Sequence, residues 1–228
     1  MIGLGRIAVA AVALVLCGAC TSIPFTPVER VPLASVDAAA VRAELAAAAP
    51  QAGELLTSVV FEYWGHELSA LGAVALDPEQ GTFRLVCMTA VGVKLFEISG
   101  TPESEQTDFA IEGFVERFGD DKQGVTAIAK DVRAIYLDLV PPVDARVERD
   151  ATELRFIVGD DDDGIEWVVA GRAPALVEKR VYADGELRSR VRYYEYRRHG
   201  GRTYAGGIVL DNEIYGYRLV IRLLEGPD

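Results

Sequence analysis

Apolar and polar positions alternate along most of the chain from about residue 54 onward, and this pattern predicts a sheet of antiparallel strands. In the first half, strands are predicted over residues 55–64, 67–76, 82–90 and 94–99, with a weaker one over 109–118. In the second half, they are predicted over residues 153–158, 165–170, 176–183, 187–197, 203–211 and 215–224. Short connections that contain glycine favour tight hairpins between them.

Two segments have a helical period instead. The alanine-rich stretch from Val36 to Ala49 predicts a helix that Ser35 caps and Pro50 ends. The second, from Lys122 to Leu139, has a broad apolar stripe on one side. Because ten or so strands are too many for one flat layer, we expect a mainly β, α+β fold. In it a strongly curved antiparallel sheet wraps over two or more helices.

The strand predicted over residues 187–197 has one face that is plainly more polar. Alternation places Arg190, Arg192, Tyr194 and Tyr196 on one side, and Val191 and Tyr193 on the other. The arginine side is therefore expected to face water. The pattern leaves open which face of the whole sheet lines the interior.

The first twenty residues have the layout of a bacterial export signal. Arg6 precedes an apolar run over residues 7–16, which is too short for a helix that crosses a bilayer. The run ends in LCGAC, which resembles the lipobox of bacterial lipoproteins. That resemblance implies cleavage before Cys20 and lipidation of this cysteine. An ordinary secretory signal cut after Ala19 is the alternative.

These features predict the domain organisation and location of the protein. We expect residues 1–19 to be a signal peptide, residues 20–34 a lipidated tether, and residues 35–228 a single folded domain. The residue after Cys20 is Thr21 and not Asp, which by resemblance to proteobacterial lipoproteins implies sorting to the outer membrane. We therefore expect a lipid-anchored protein of the outer membrane that faces the periplasm.

Charge and cysteine content narrow the chemistry. The net charge of −12 argues against nucleic acid as a partner. Residues 172–222 are locally basic, with 11 basic and 6 acidic side chains, which suits either a solvated strand face or contact with anionic lipid headgroups or an acidic partner. Cys87 is left without a disulfide partner once the signal is removed and Cys20 is lipidated. It is expected to be a buried apolar filler.

No catalytic, metal or cofactor motif is present in the sequence. The two histidines lack metal-ligand spacing, and the nucleophile elbow and the phosphate-binding loop are both missing. The acidic run from Asp160 to Asp163 favours a solvated hairpin turn over a calcium loop, because two ligand positions of such a loop are not filled. We therefore expect no enzymatic activity, no cofactor and no metal.

The order of elements resembles that of the LolA/LolB group of lipoprotein carriers and receptors. The segments GTFRLVCMTAVGVKLFEISG and GRTYAGGIVLDNEIYGYRLVIRLLE carry this resemblance. It implies that residues 35–228 form a single lipid-binding half-barrel domain, a half-open β-barrel whose apolar cavity holds acyl chains, with the helices as a lid. It also implies a lipoprotein that binds a lipid or acylated molecule for transfer or insertion in the cell envelope, with a periplasmic carrier or another envelope protein as partner. The alternative is a structural or assembly lipoprotein that acts as a protein-interaction module.

Alternating apolar and aromatic side chains supply the candidate lining of such a cavity. The candidates are Val59, Phe61, Phe83, Leu85, Phe96, Ile98, Val191, Tyr193, Tyr217 and Leu219. In the resembling family a hydrophobic residue on a protruding loop helps insertion into the membrane. Val91, between two predicted strands, is the candidate for that role here.

Overall fold

A computed structural model describes residues 23–33, 36–63, 65–109, 122–160, 162–199 and 202–225. Within them, two helices run over Ala38–Ala48 (α1) and Lys122–Tyr136 (α2). The first six strands are β1 (Gly53–Tyr63), β2 (His66–Asp77), β3 (Thr82–Met88), β4 (Lys94–Gly100), β5 (Glu105–Phe109) and β6 (Arg146–Arg149). The others are β7 (Glu153–Gly159), β8 (Gly164–Ala170), β9 (Ala175–Ala183), β10 (Glu186–His199), β11 (Arg202–Asn212) and β12 (Tyr217–Glu225).

The strands form one antiparallel sheet in the order β5-β4-β3-β2-β1-β12-β11-β10-β9-β8-β7-β6. The first and last strands pair at its centre, where Val59 lies opposite Ile221. The outermost strands β5 and β6 do not pair with each other in the described part of the chain. The expectation of a mainly β fold with an open, curved antiparallel sheet and helices is confirmed.

The ends of several elements differ from the predictions. Helix α1 begins at Ala38, and the carboxylate of Asp37 accepts hydrogen bonds from the backbone N–H groups of Ala39 and Ala40, each at 3.3 Å. Asp37 is therefore the cap, whereas the predicted cap Ser35 lies outside the described residues. Strand β6 was not predicted, because its four residues are too few to display alternation. Strand β5 ends where the weak strand over 109–118 was expected to begin, and the rest of that prediction falls outside the described residues.

The main core lies between the helices and the concave face of the sheet. Val41 and Leu45 of α1 are buried there, as are Val132 and Ile135 of α2. All ten candidate lining residues belong to this core or pack against it. The structure thus decides which face of the sheet is internal.

A local backbone feature in β10 changes the predicted alternation. Glu195 has a φ of 52°, in the left-handed region that side chains other than glycine seldom adopt. Tyr194 lies on the outer face against Val209, while Tyr196 packs with the main core. The prediction that these two tyrosines share one side is therefore wrong.

The N-terminal segment, residues 23–33, packs across the outer face of the sheet. The ring of Phe25 is 7% exposed and lies 5.7 Å from the ring of Tyr194. The guanidinium of Arg222 lies 4.7 Å from the centre of the same ring. Gly207 allows this close approach, because a Cβ there would lie 2.5 Å from a ring carbon of Phe25. The aromatic side chain therefore sits in a fitted depression on the sheet.

The rest of this segment follows the sheet towards β6 and β7. Val28 packs against Val168 of β8, and Arg30 forms an ion pair with Glu153 of β7. The backbone N–H of Leu33 donates to the carbonyl of Ala151 at 3.1 Å. The described part of the predicted tether is thus packed against the domain before the chain enters α1.

Arginines on the outer face are held in ion pairs with acidic residues of neighbouring strands. Arg192 and Arg218 both contact Asp211, the second at 2.6 Å. Arg180 lies 2.6 Å from Glu178 and 3.0 Å from Glu166. The basic excess of residues 172–222 is therefore partly offset by acids, some of which lie outside that stretch of sequence.

Candidate functional site

An apolar cavity of about 300 Å³ lies between the helices and one end of the sheet. We call it the main cavity. It is bounded by Leu45 of α1, Leu55 of β1, Ile208 of β11 and Leu223 of β12. These side chains come from distant parts of the chain, and the antiparallel register brings their strands to the same end of the sheet. Glu44 and Gln51, at the C-terminal end of α1 and just after it, are exposed and mark the opening to water.

Four tyrosines line the main cavity, and three of them have hydroxyls that form hydrogen bonds with other protein groups. The hydroxyl of Tyr193 donates to the backbone carbonyl of Ala134 at 3.2 Å, and that of Tyr196 donates to the carbonyl of Leu176. The hydroxyl of Tyr136 is hydrogen-bonded to the side chain of Thr57. Burial raises the pKa of all three phenols above their usual value. They stay neutral, and the cavity surface they form is apolar.

The charge distribution around the main cavity suits an uncharged ligand. Among the described lining residues, Glu44 is the only one with a carboxylate or cationic side chain, and it is exposed at the opening. A charged group moved into this interior would lose its hydration without a partner of opposite sign. An acyl chain would incur no such penalty and would bury apolar surface.

A second, smaller cavity of about 70 Å³ lies deeper along the sheet, and we call it the small cavity. Five of the ten candidate residues line it: Val59, Phe61, Leu85, Phe96 and Leu219. Cys87 also lines it and is buried, and burial raises the pKa of its thiol to about 12. This thiol is therefore protonated at neutral pH.

The other candidates are divided between the main cavity and the packed core. Tyr193 lines the main cavity. Phe83, Ile98, Val191 and Tyr217 are buried on the same concave face but line neither cavity. Lipid contact by the ten residues stays a prediction.

Sequence reasoning missed most of the main cavity. Leu45 lies within the helix predicted from Val36 to Ala49, but nothing in the pattern indicated what its side chain would face. Tyr196 was placed on the outer side, because the conformation of Glu195 breaks the alternation. Leu55, Ile208 and Leu223 have the correct period, but the register of the sheet and the position of α1 decide that a space remains between them.

A buried polar cluster attaches α2 to the sheet. Asp131 is 5% exposed and accepts hydrogen bonds from the hydroxyl of Tyr217 and, at 3.1 Å, from Nδ2 of Asn212. Desolvation raises the pKa of this carboxyl to about 6, although both hydrogen bonds favour the ionised form. The cluster joins the helix directly to β11 and β12.

The C-terminal end of α2 has a second polar attachment. The carbonyl of Asp138 accepts hydrogen bonds from Nε1 of Trp167 at 3.0 Å and from Nζ of Lys179 at 3.1 Å. Burial lowers the pKa of Lys179 to about 8, against the opposing effect of the nearby Asp138 carboxylate. These hydrogen bonds give a carbonyl just beyond the helix end its partners, and they hold this end of α2 over the sheet.

Val91 occupies an exposed turn at the other end of the sheet from the main cavity. It is 86% exposed, and Val93 beside it is 53% exposed. The turn is closed by Thr89, whose backbone N–H donates to the carbonyl of Val93 at 2.9 Å. Gly92 has a φ of 83°, which this tight turn requires. The structure thus presents two apolar side chains to the surroundings on a hydrogen-bonded turn.

The acidic turn after β7 is held by its own hydrogen bonds. Oδ1 of Asp160 accepts from the backbone N–H groups of Asp162 and Asp163, at 3.1 and 2.8 Å, and these bonds lower the pKa of Asp160. Across the described residues, no group of three or more potential ligands among His, Cys, Asp and Glu could hold a metal ion.

Comparison with known proteins finds similarity in the fold. A LolA superfamily protein from Nitrosomonas europaea superposes with a TM-score of 0.53 at 12% identity, covering 84% of this chain and 93% of that one. A domain from Vibrio parahaemolyticus named for outer membrane lipoprotein sorting gives a TM-score of 0.46 at 10% identity, covering 82% and 89% of the two chains. No protein-family model matches the sequence, and no curated protein matches it.

Proposed function

We propose that this chain, which has the fold of the LolA superfamily, is a non-enzymatic lipoprotein that binds an acyl chain in its main cavity. The resemblance seen in the sequence is confirmed at the level of the fold. The observation that carries the proposal is the neutral cavity of about 300 Å³ beneath α1, which opens to water at one end. A volume of this size is at the lower end of the range for small-molecule sites.

The driving force for binding is removal of acyl surface from water. Each buried methylene contributes about 0.8 kcal/mol, so a chain of modest length compensates for the cost of association. The headgroup or the linked protein would remain outside, near Glu44 and Gln51. This arrangement accepts a lipid or an acylated molecule without a specific headgroup site.

The second part of the proposal is attachment to the outer membrane through Cys20, with the domain on the periplasmic side. Cys20 lies outside the described residues, and no described helix is long and apolar enough to span a bilayer. Phe25 is fixed on the outer face of the sheet and is the fifth residue after Cys20, so the chain between the two Cα atoms reaches at most about 18 Å. A lipid on Cys20 would therefore hold the outer face of β10 to β12 close to the membrane.

The third part concerns transfer of the bound molecule within the cell envelope. The exposed pair Val91 and Val93 would enter the headgroup region of a membrane, while a periplasmic carrier or another envelope protein would deliver the ligand. Two valines bury a small area, so this contact would be weak and reversible. Such a contact suits a transfer step.

Filling the main cavity tests the proposal. Ala205 of β11 lines it, and Ala205→Phe should occupy part of the space and weaken binding of a fluorescent fatty acid at least about tenfold. Ala75→Phe is the matched control, because Ala75 lies on a strand but lines neither cavity. The control should bind as the wild type does, and both variants must melt cooperatively.

Native mass spectrometry of protein purified from cells separates this function from the alternative of an assembly module. Lipid that copurifies with the wild type and is lost in Ala205→Phe supports the proposal. An empty wild type that binds no fatty acid and copurifies with a protein partner supports the alternative.

A further inference from the structure

The main cavity and the small cavity share one wall. Thr57, Ile135, Tyr136 and Ile221 line both spaces. They come from β1, α2 and β12, so the wall crosses the interior from the helix to the centre of the sheet. The two spaces are therefore neighbours that these four side chains keep apart.

The order of residues along β1 gives the direction from one cavity to the other. Leu55 lines the main cavity, Thr57 lines both, and Val59 and Phe61 line the small cavity. A chain that enters at the opening beside α1 and continues past Thr57 would thus move towards the end of the sheet that carries Val91. The shared wall lies across this path.

Tyr136 is the largest side chain of the wall and is held in place. It is buried, and its hydroxyl is hydrogen-bonded to the side chain of Thr57. The Thr57 hydroxyl in turn donates to the carbonyl of Gly72 at 3.1 Å. A Cβ at position 72 would lie 2.7 Å from that hydroxyl oxygen, so only glycine leaves room for this arrangement. The tyrosine is thus linked to β2 through a buried polar chain in an apolar interior.

We propose that the ring of Tyr136 sets the length of acyl chain that the protein accepts, by closing the main cavity against the small one. This inference rests on the proposed function. A short chain fills the main cavity and ends at the ring. When a longer chain enters, the ring stops its tail before the small cavity, so the methylenes nearest the headgroup remain outside in water.

The test is a series of saturated fatty acids from octanoate to stearate that compete with a fluorescent fatty acid. For the wild type, affinity should rise about fourfold with each added methylene and then stop rising at the length that reaches Tyr136. In Tyr136→Ala the two cavities join, and the rise should continue to longer chains. Tyr136→Leu, which leaves a smaller void, should shift the break in the same direction and serves if the alanine variant does not fold.

Tyr136→Phe is the matched control, because it retains the ring and loses only the bond to Thr57. Its break should fall at the wild-type length. The inference is overturned if the wild type shows no break, if folded Tyr136→Ala or Tyr136→Leu keeps the wild-type break, or if Tyr136→Phe shifts it as far as alanine does. A wild type that binds no fatty acid refutes the proposed function and this inference with it, whereas an unmoved break refutes only the role of Tyr136.

Discussion

Replacement of Phe25 by alanine should destabilise the domain by about 3 kcal/mol, although the sequence suggests that this residue belongs to a tether. Burial of a phenylalanine side chain contributes about 1.5–3 kcal/mol. The contact with the ring of Tyr194 adds about 0.5–1.5 kcal/mol. The space left by the mutation would open to water on the outer face, so the penalty for an enclosed void is small. Arg222 keeps Glu195 and the carbonyl of Pro24 as partners when the ring is removed.

Urea denaturation of the chain beginning at Thr21, followed by circular dichroism, measures this loss. For a domain of this size the same loss lowers the melting temperature by about 6–12 °C. Thr26→Ala is the matched control, because Thr26 is exposed and its bond to Glu195 uses the backbone N–H, which the mutation retains. Phe25→Leu should give an intermediate loss.

If Phe25→Ala lowered the free energy of unfolding by less than about 0.5 kcal/mol, with an unchanged dependence on urea, this reasoning would be contradicted. A loss of that size is typical of an ordinary surface substitution. The N-terminal segment would then behave as a free tether in solution. The close approach of the outer face to the membrane, which depends on Phe25 being fixed, would be lost with it.

Three further predictions concern other parts of the molecule. Because the pKa of Asp131 is raised to about 6 from 3.8, the folded state is stabilised by protonation, by up to about 3 kcal/mol. This stabilisation is complete below about pH 4 and is lost as the pH rises through about 6. In urea melts at each pH, the free energy of unfolding of the wild type relative to Asp131→Asn should therefore fall over that range. Cys87, buried and with a raised pKa, should react with maleimide only after unfolding, so rapid labelling of native protein would refute its burial. Cys20→Ala should abolish labelling with palmitate and release the protein from membranes. A wild type that takes up no palmitate would refute the prediction that Cys20 is lipidated.

The extent to which the sequence predicts the fold differs between elements. Strands β7 to β9 agree with their predicted bounds to within one residue, because period-two alternation is a local property. Capping was less predictable: Asp37 lies two residues beyond the expected cap, and both residue types favour that position. In β10 the conformation of Glu195 reversed the side on which Tyr196 lies, and alternation by itself gives no sign of such a change.

The sequence by itself determined most of the antiparallel strands, the two helices, the lack of catalytic motifs and the set of apolar side chains that share one face of the sheet. These follow from local periodicity and residue type, which act over a few positions of the chain. Only the tertiary structure decided that residues 23–33 pack on the outer face, that most arginines there are paired, and that Tyr136 separates two cavities. Each of these depends on residues far apart in sequence, and a cavity is the space that packing leaves unfilled, so no single segment encodes it.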